Sequence, residues 1–156
     1  MALSYALTLP ATNTAYAAGD LVANTTVAAS VVPLSWFVGY ADKGTMIRRI
    51  RIKKSNTSTT LASFRVHLYE SSPTVTNGDN GVWLSTNSNY MGSFDVTVDK
   101  VFSDSSQGTG TPSTGGEVVV SVATGATEKT IYGLIEARAA YDAADSEVLT
   151  VTLELC

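Results

Sequence analysis

Apolar side chains recur at every second position along most of this chain, the period of half-buried β-strands. Leu3, Tyr5, Leu7 and Leu9 alternate with Ser4, Ala6 and Thr8 until Pro10 ends the run. Residues 16–23 read as a short strand with a bend or bulge at Ala18-Gly19-Asp20. Pro33 opens a strand over 34–40, and Gly44 leads into another over 46–54, with Ile50 and Ile52 on one face. Phe64, Val66 and Leu68 alternate with Arg65, His67 and Tyr69, and Phe94, Val96 and Val98 share a face of a strand over 90–102. A short strand is expected at 82–84, and three more close the chain at 117–124, 129–139 and 147–155. Turn formers crowd 71–81, including Pro73, Asn77-Gly78 and Asp79-Asn80-Gly81. The stretches 137–144 and 25–31 tempt a helix assignment, but both are short and lack a 3.6-residue apolar stripe. About eight strands separated by turn chemistry predict an all-β protein, an antiparallel β-sandwich of jelly-roll-like design.

Two segments stand apart from this body. Residues 1–15 are expected to form an extended N-terminal arm, and residues 16–156 a single sandwich domain. Burying the four large apolar side chains of the arm would gain ~6–10 kcal/mol gross. Ordering its backbone costs about 1–2 kcal/mol per residue. Packing alone barely offsets that cost, so the arm needs a strand partner, in its own sheet or in a neighbouring subunit. The second segment, 103–116, is a Gly/Ser/Thr/Pro tract almost without apolar side chains, and is expected to be a long flexible surface loop.

Composition narrows the functional classes. Charged residues are 15% of the chain, so its polar surface must be mostly hydroxyl and amide. The net charge of −4 disfavours a nucleic-acid partner, which would call for a basic excess. No apolar run approaches the ~20 residues needed to span a bilayer, so no membrane partner is expected. The first seventeen residues lack the basic start of a signal peptide and are interrupted by polar residues, which argues against secretion. The single cysteine, Cys156, has no partner for an intrachain disulfide.

Candidate chemistry is sparse. His67 is the one histidine and has no further His or Cys at ligand spacing, so no metal site is expected. No nucleophile elbow surrounds any serine. The acidic groups Asp95 with Asp99, and Asp142 with Asp145 and Glu147, lie at strand or turn positions where solvated carboxylates are the ordinary outcome. Asn77 to Gly81 offers oxygens to a calcium ion but lacks EF-hand spacing and fits a turn. No catalytic residue and no cofactor is expected, and the chain is not expected to be an enzyme.

Contact surfaces remain. Half of the ten basic residues fall within seven positions, from Arg48 to Lys54. Alternation puts Arg49, Arg51 and Lys53 in a row on one sheet face, either as solvated edge protection or as a strip that docks on an acidic protein surface. Trp36 and Trp83 suit a core, an interface centre or a sugar platform, and one of the two is expected at an interface. With Leu3, Tyr5, Leu7 and Leu9 of the arm, these are the candidate partner-binding residues.

Three blocks carry a family likeness: Tyr16-Ala17-Ala18-Gly19-Asp20-Leu21-Val22, then Gly44-Thr45-Met46-Ile47-Arg48-Arg49-Ile50-Arg51-Ile52, then Phe64-Arg65-Val66-His67-Leu68-Tyr69-Glu70 with Ser72-Pro73 and Asp79-Asn80. Over residues 16–102 the chain resembles small virion structural proteins of tailed bacteriophages, in particular capsid decoration (cement) proteins. The resemblance implies a jelly-roll-like body made in the host cytoplasm and assembled, often as a homo-trimer, on the outer surface of the capsid. Its partner would be the major capsid protein, adjacent subunits of which it would clamp with help from terminal arms. A competing class is a tail-associated, receptor- or carbohydrate-binding module that uses Trp36 or Trp83 as a stacking platform.

Overall fold

The computed structural model describes residues 1–11, 14–39, 44–84, 89–113, 117–121 and 128–156. The ends of the expected strands at residues 40 and 122–124, and of the 103–116 tract at 114–116, lie outside them. Ten strands follow in order: β1 (Ala2–Thr8), β2 (Leu21–Val22), β3 (Leu34–Val38), β4 (Thr45–Lys54), β5 (Ser63–Tyr69), β6 (Tyr90–Val101), β7 (Ser106–Pro112), β8 (Val118–Val120), β9 (Lys129–Ala137) and β10 (Val148–Leu155). Among the described residues the one helical element is a 3₁₀ turn at Ala28–Ser30. Neither 25–31 nor 137–144 forms an α-helix. The segment 82–84 contributes only an isolated bridge, Val82 to Asp20. The bend expected near Gly19 is present, with that glycine at φ +98°.

The pairing is antiparallel throughout. One layer runs β1-β10-β4, with β7 and β8 sharing the far edge of β4. The other runs β6-β5-β9, with β2 and β3 sharing the far edge of β9. Because β7 pairs with both β4 and β6, the layers are one sheet curled over on itself. Its inner side collects the alternating apolar positions, among them Leu7, Trp36, Ile50, Ile52, Phe64, Val66, Phe94, Val96, Ile131, Ile135, Leu149, Val151 and Leu153. Opposite the β6-β7 corner, β3 returns against β1: Tyr5 meets Trp36 edge-on at 6.4 Å, and the Trp36 indole N–H donates to the Val151 carbonyl at 3.2 Å.

The expected loop at 103–116 requires correction. Only a short turn remains, with Phe102 N–H donating to the Ser105 carbonyl at 2.8 Å, and Ser106–Pro112 is a strand in mid-sheet. Its alternation is real but written in small residues: Ser106, Gly108 and Gly110 are buried, while Thr109 and Thr111 are exposed. A Cβ added at Gly108 would lie 2.0 Å from Thr97 O, and one at Gly110 2.0 Å from Asp95 O. Strand β7 therefore turns the corner where no side chain fits, held by backbone bonds to both neighbours.

Of the two strand partners open to the N-terminal arm, the one in its own sheet is found. Strand β1 pairs with β10 of its own sheet, in unbroken register from Ala2↔Glu154 to Thr8↔Val148. Leu7 and Leu9 are buried, and Leu3 and Tyr5 pack partly buried against the same core. The strand partner that the energetics demanded is supplied within the chain.

Candidate interaction surfaces

The outer face of the β1-β10-β4-β7 layer is built from residues opposite the core positions. The register lines up Ser4, Thr152, Arg51 and Thr109 in one row, and Ala6, Thr150, Lys53 and Gln107 in the next. Short side chains leave this a polar face, with the basic row of β4 across it; Ser4 and Thr152 bond through their hydroxyls at 2.8 Å. The row is partly neutralised from β10, since Glu154 pairs with Arg49 and lies 3.8 Å from Arg51. Among the described residues Lys53 has no ion-pair partner. A register shift beside Glu154 makes Arg48 the extra residue of a bulge, so Arg48 and Arg49 are exposed together while Ile47 and Ile50 are both buried.

Lys54 is not part of this strip. It continues the inward series of Ile50 and Ile52 and is fully buried, its Nζ 3.0 Å from Glu147 Oε1 and also donating to the Tyr141 hydroxyl. The Tyr141 hydroxyl donates to Glu147 Oε2 at 2.6 Å, and the Ala144 N–H donates to the same oxygen at 3.0 Å. Burial drives the Lys54 pKa down, and Glu147 pulls it back. Burial, followed by Glu147, pushes the Tyr141 hydroxyl far above its usual range. Every polar atom of this cluster points into the fold, so its role is structural. The inward parity of Lys54 was the sequence signal for it, with Glu147 as the missing partner.

The outer face of the β6-β5-β9 layer is covered around His67, Tyr69 and Leu134, while Asp95, Thr97 and Asp99 of β6 stay exposed. Residues Leu21, Ala23, Tyr69 and Leu134 form a second small core there, with Val31, Val75, Trp83 and Tyr132 packed against it. The turn-rich segment 71–84 closes over this face, tied down by Asp79, which accepts bonds from the Tyr16 hydroxyl and the Ala23 N–H, both at 2.8 Å. Burial raises the Asp79 pKa, and these two bonds oppose it. The Asn77 to Gly81 oxygens thus serve the turn: the Asn77 amide donates to Val82 O, and Asp79 is held as described.

His67 lies at the rim of this covered region. Trp83 stacks on it with centroids 4.0 Å apart, and Glu136 Oε2 lies 2.8 Å from Nε2. The Tyr90 hydroxyl is 3.3 Å from Nδ1. Burial lowers the His67 pKa, more than the neighbouring carboxylate of Glu136 raises it. A neutral ring then donates from Nε2 to Glu136 and accepts at Nδ1 from Tyr90. Glu136 also receives Arg138 at 3.1 Å, while Arg65 holds Asp95 through two bonds of 2.5 and 2.7 Å. Both nitrogens of the histidine and one ring face are engaged inside the chain.

The predicted contact residues therefore separate into three groups. Leu7, Leu9 and Trp36 are buried in the core and offer no surface, and Leu3 and Tyr5 pack partly buried against it. Arg49, Arg51 and Lys53 stand together on the outer face of β4. Trp83 is half-buried on the other side of the molecule, beside exposed Val82, Leu84 and Tyr90. What sequence reasoning missed is the His67–Glu136–Tyr90 cluster, whose members come from three strands far apart in the chain. The chain matches no protein-family model and no curated protein sequence.

Proposed function

We propose that this protein is a structural virion component that docks through the outer face of its β1-β10-β4-β7 layer onto the outer surface of a bacteriophage capsid and reinforces contacts between major capsid subunits. The observation that carries this reading is the charge pattern of that face: Arg49, Arg51 and Lys53 in a row among short Ser, Thr and Ala side chains, complementary to an acidic partner. Connectivity supports it. Counting the eight longest strands in chain order, one layer reads 1-8-3-6 and the other 2-7-4-5, an order compatible with the jelly-roll design proposed for it. That architecture serves virion and lectin domains alike, so the surface chemistry must decide. Many weak copies on one lattice would hold firmly, since linked contacts raise effective concentration. The test adds purified protein to intact heads that lack it: stoichiometric, lattice-related binding is expected, weakened by R51S/K53S and by salt. Absence of binding to intact heads would overturn the proposal.

A second reading, carbohydrate binding on a phage tail, rests on the aromatic rim of Trp83 and Tyr90. It gains ground if glycan-array binding is found and Trp83→Ala abolishes it.

A further inference from the structure

Strand β1 ends its layer with one edge unpaired. Met1 N donates to Leu155 O and Leu155 N to Met1 O, at 3.1 and 2.8 Å, and Leu9 N donates to Glu147 O at 2.8 Å. An antiparallel ladder alternates, so the odd positions of β1 spend their backbone groups on β10 and the even positions turn theirs the other way. Ala2, Ser4, Ala6 and Thr8 thus carry N–H and C=O groups to an edge with which no strand of the described residues pairs, β3 meeting β1 through side chains such as Tyr5 and Trp36. Open edges are normally guarded by a charge, a proline or a bulge. Here the pairing register is unbroken, Pro10 falls beyond the strand, and the first charged side chain of the sequence is Asp20.

We infer that this free edge pairs with the same edge of a second copy, antiparallel about a two-fold axis, joining two layers into one continuous sheet. The edge is self-complementary. Centring the axis on Tyr5 sets Ala2 against Thr8 and Ser4 against Ala6 of the other copy, so each outward N–H meets a C=O. The side chains on the outer side of that seam are Ala, Ser and Thr, too short to keep the backbones apart. Neither strand carries a charged side chain to repel its twin. The pairing closes on two copies, an isologous contact. It goes beyond capsid attachment and is measured without capsids, so either can fail alone.

The test is sedimentation equilibrium of the full chain over a dilution series, paired with amide hydrogen exchange. A reversible dimer is expected, with the amides of Ser4, Ala6 and Thr8 protected at high concentration and released on dilution. Ala6→Pro removes an N–H that points only to the open edge, leaving the β10 ladder intact. Two symmetric donors are lost, so the dimer should weaken by about thirtyfold or more, with circular dichroism unchanged. A monomer at every concentration, a trimer, or a dimer whose even-numbered β1 amides exchange freely would overturn the inference. The exchange pattern of the unaltered protein decides the matter even where Ala6→Pro disturbs folding.

Discussion

The two outer faces of this curled sheet begin from the same kind of sequence and end in opposite states. On β4, Arg49, Arg51 and Lys53 alternate with isoleucines; on β5, Arg65, His67 and Tyr69 alternate with Phe64, Val66 and Leu68. The first row stays in water, facing the hydroxyls of β10 and β7. The second is capped by the segment 71–84, so His67 and Tyr69 are as inaccessible as the core residues beside them. Alternation tells which side of a sheet a residue takes. It does not tell whether that side meets solvent, because a covering segment comes from elsewhere in the chain.

The largest expected effect falls on the corner that joins the two faces. Gly110→Ala would drive a Cβ into Asp95 O and should cost about 3 kcal/mol or more, read from urea unfolding. A change that left stability intact would mean that β6 and β7 can separate at little cost. Next comes the cover itself. Trp83→Ala should cost about 2–3 kcal/mol, since the indole packs on the small core and on His67. Faster amide exchange is expected in β5 and β9, while β10 and β4 keep their protection. A loss below about 0.5 kcal/mol would make the two faces alike, with Trp83 a surface group.

The faces should also differ in their response to pH. His67 has a folded-state pKa below the ordinary 6.5, so the unfolded chain binds its proton first on acidification. Its contribution to stability is complete above about 6.5 and lost as pH falls through the lower folded value. Asp79, raised by burial, contributes with the opposite sign, its share present in acid and lost as pH rises through its pKa. Thermal melts of the protein and of His67→Gln should therefore diverge below about pH 6.5. Parallel curves would show that the ring is not held neutral. The smallest effect belongs to the open face: Arg51→Ser should alter stability by no more than about 0.5 kcal/mol, because its pairing with Glu154 is long and solvent-screened. A loss of several times that would place Arg51 within the fold's own support.

Much of this architecture could be read from residue order. The strands at β1, β4, β5, β6, β9 and β10 followed from period-two alternation, and so did the inward set of Ile50, Ile52, Phe64, Val66, Phe94 and Val96. The strand that alternation failed to show is one where the informative group was the backbone: β7 lacks large side chains to signal a strand because the corner leaves no space for them. Lys54 was half legible. Its parity pointed inward, but only the fold brings Glu147 and Tyr141 to meet it.

By itself, then, the sequence determined an all-β chain, most of its strands though not β7, and the sidedness of those strands, since these depend on local sterics and on a two-residue period. Which strands adjoin, what covers His67, how Lys54 is neutralised and which edge of β1 stays open were decided by tertiary structure alone. Each rests on contacts between residues tens of positions apart, and no local pattern encodes the identity of such a partner. The same limit explains why the basic row of β4 was visible in the sequence and the cluster around His67 was not.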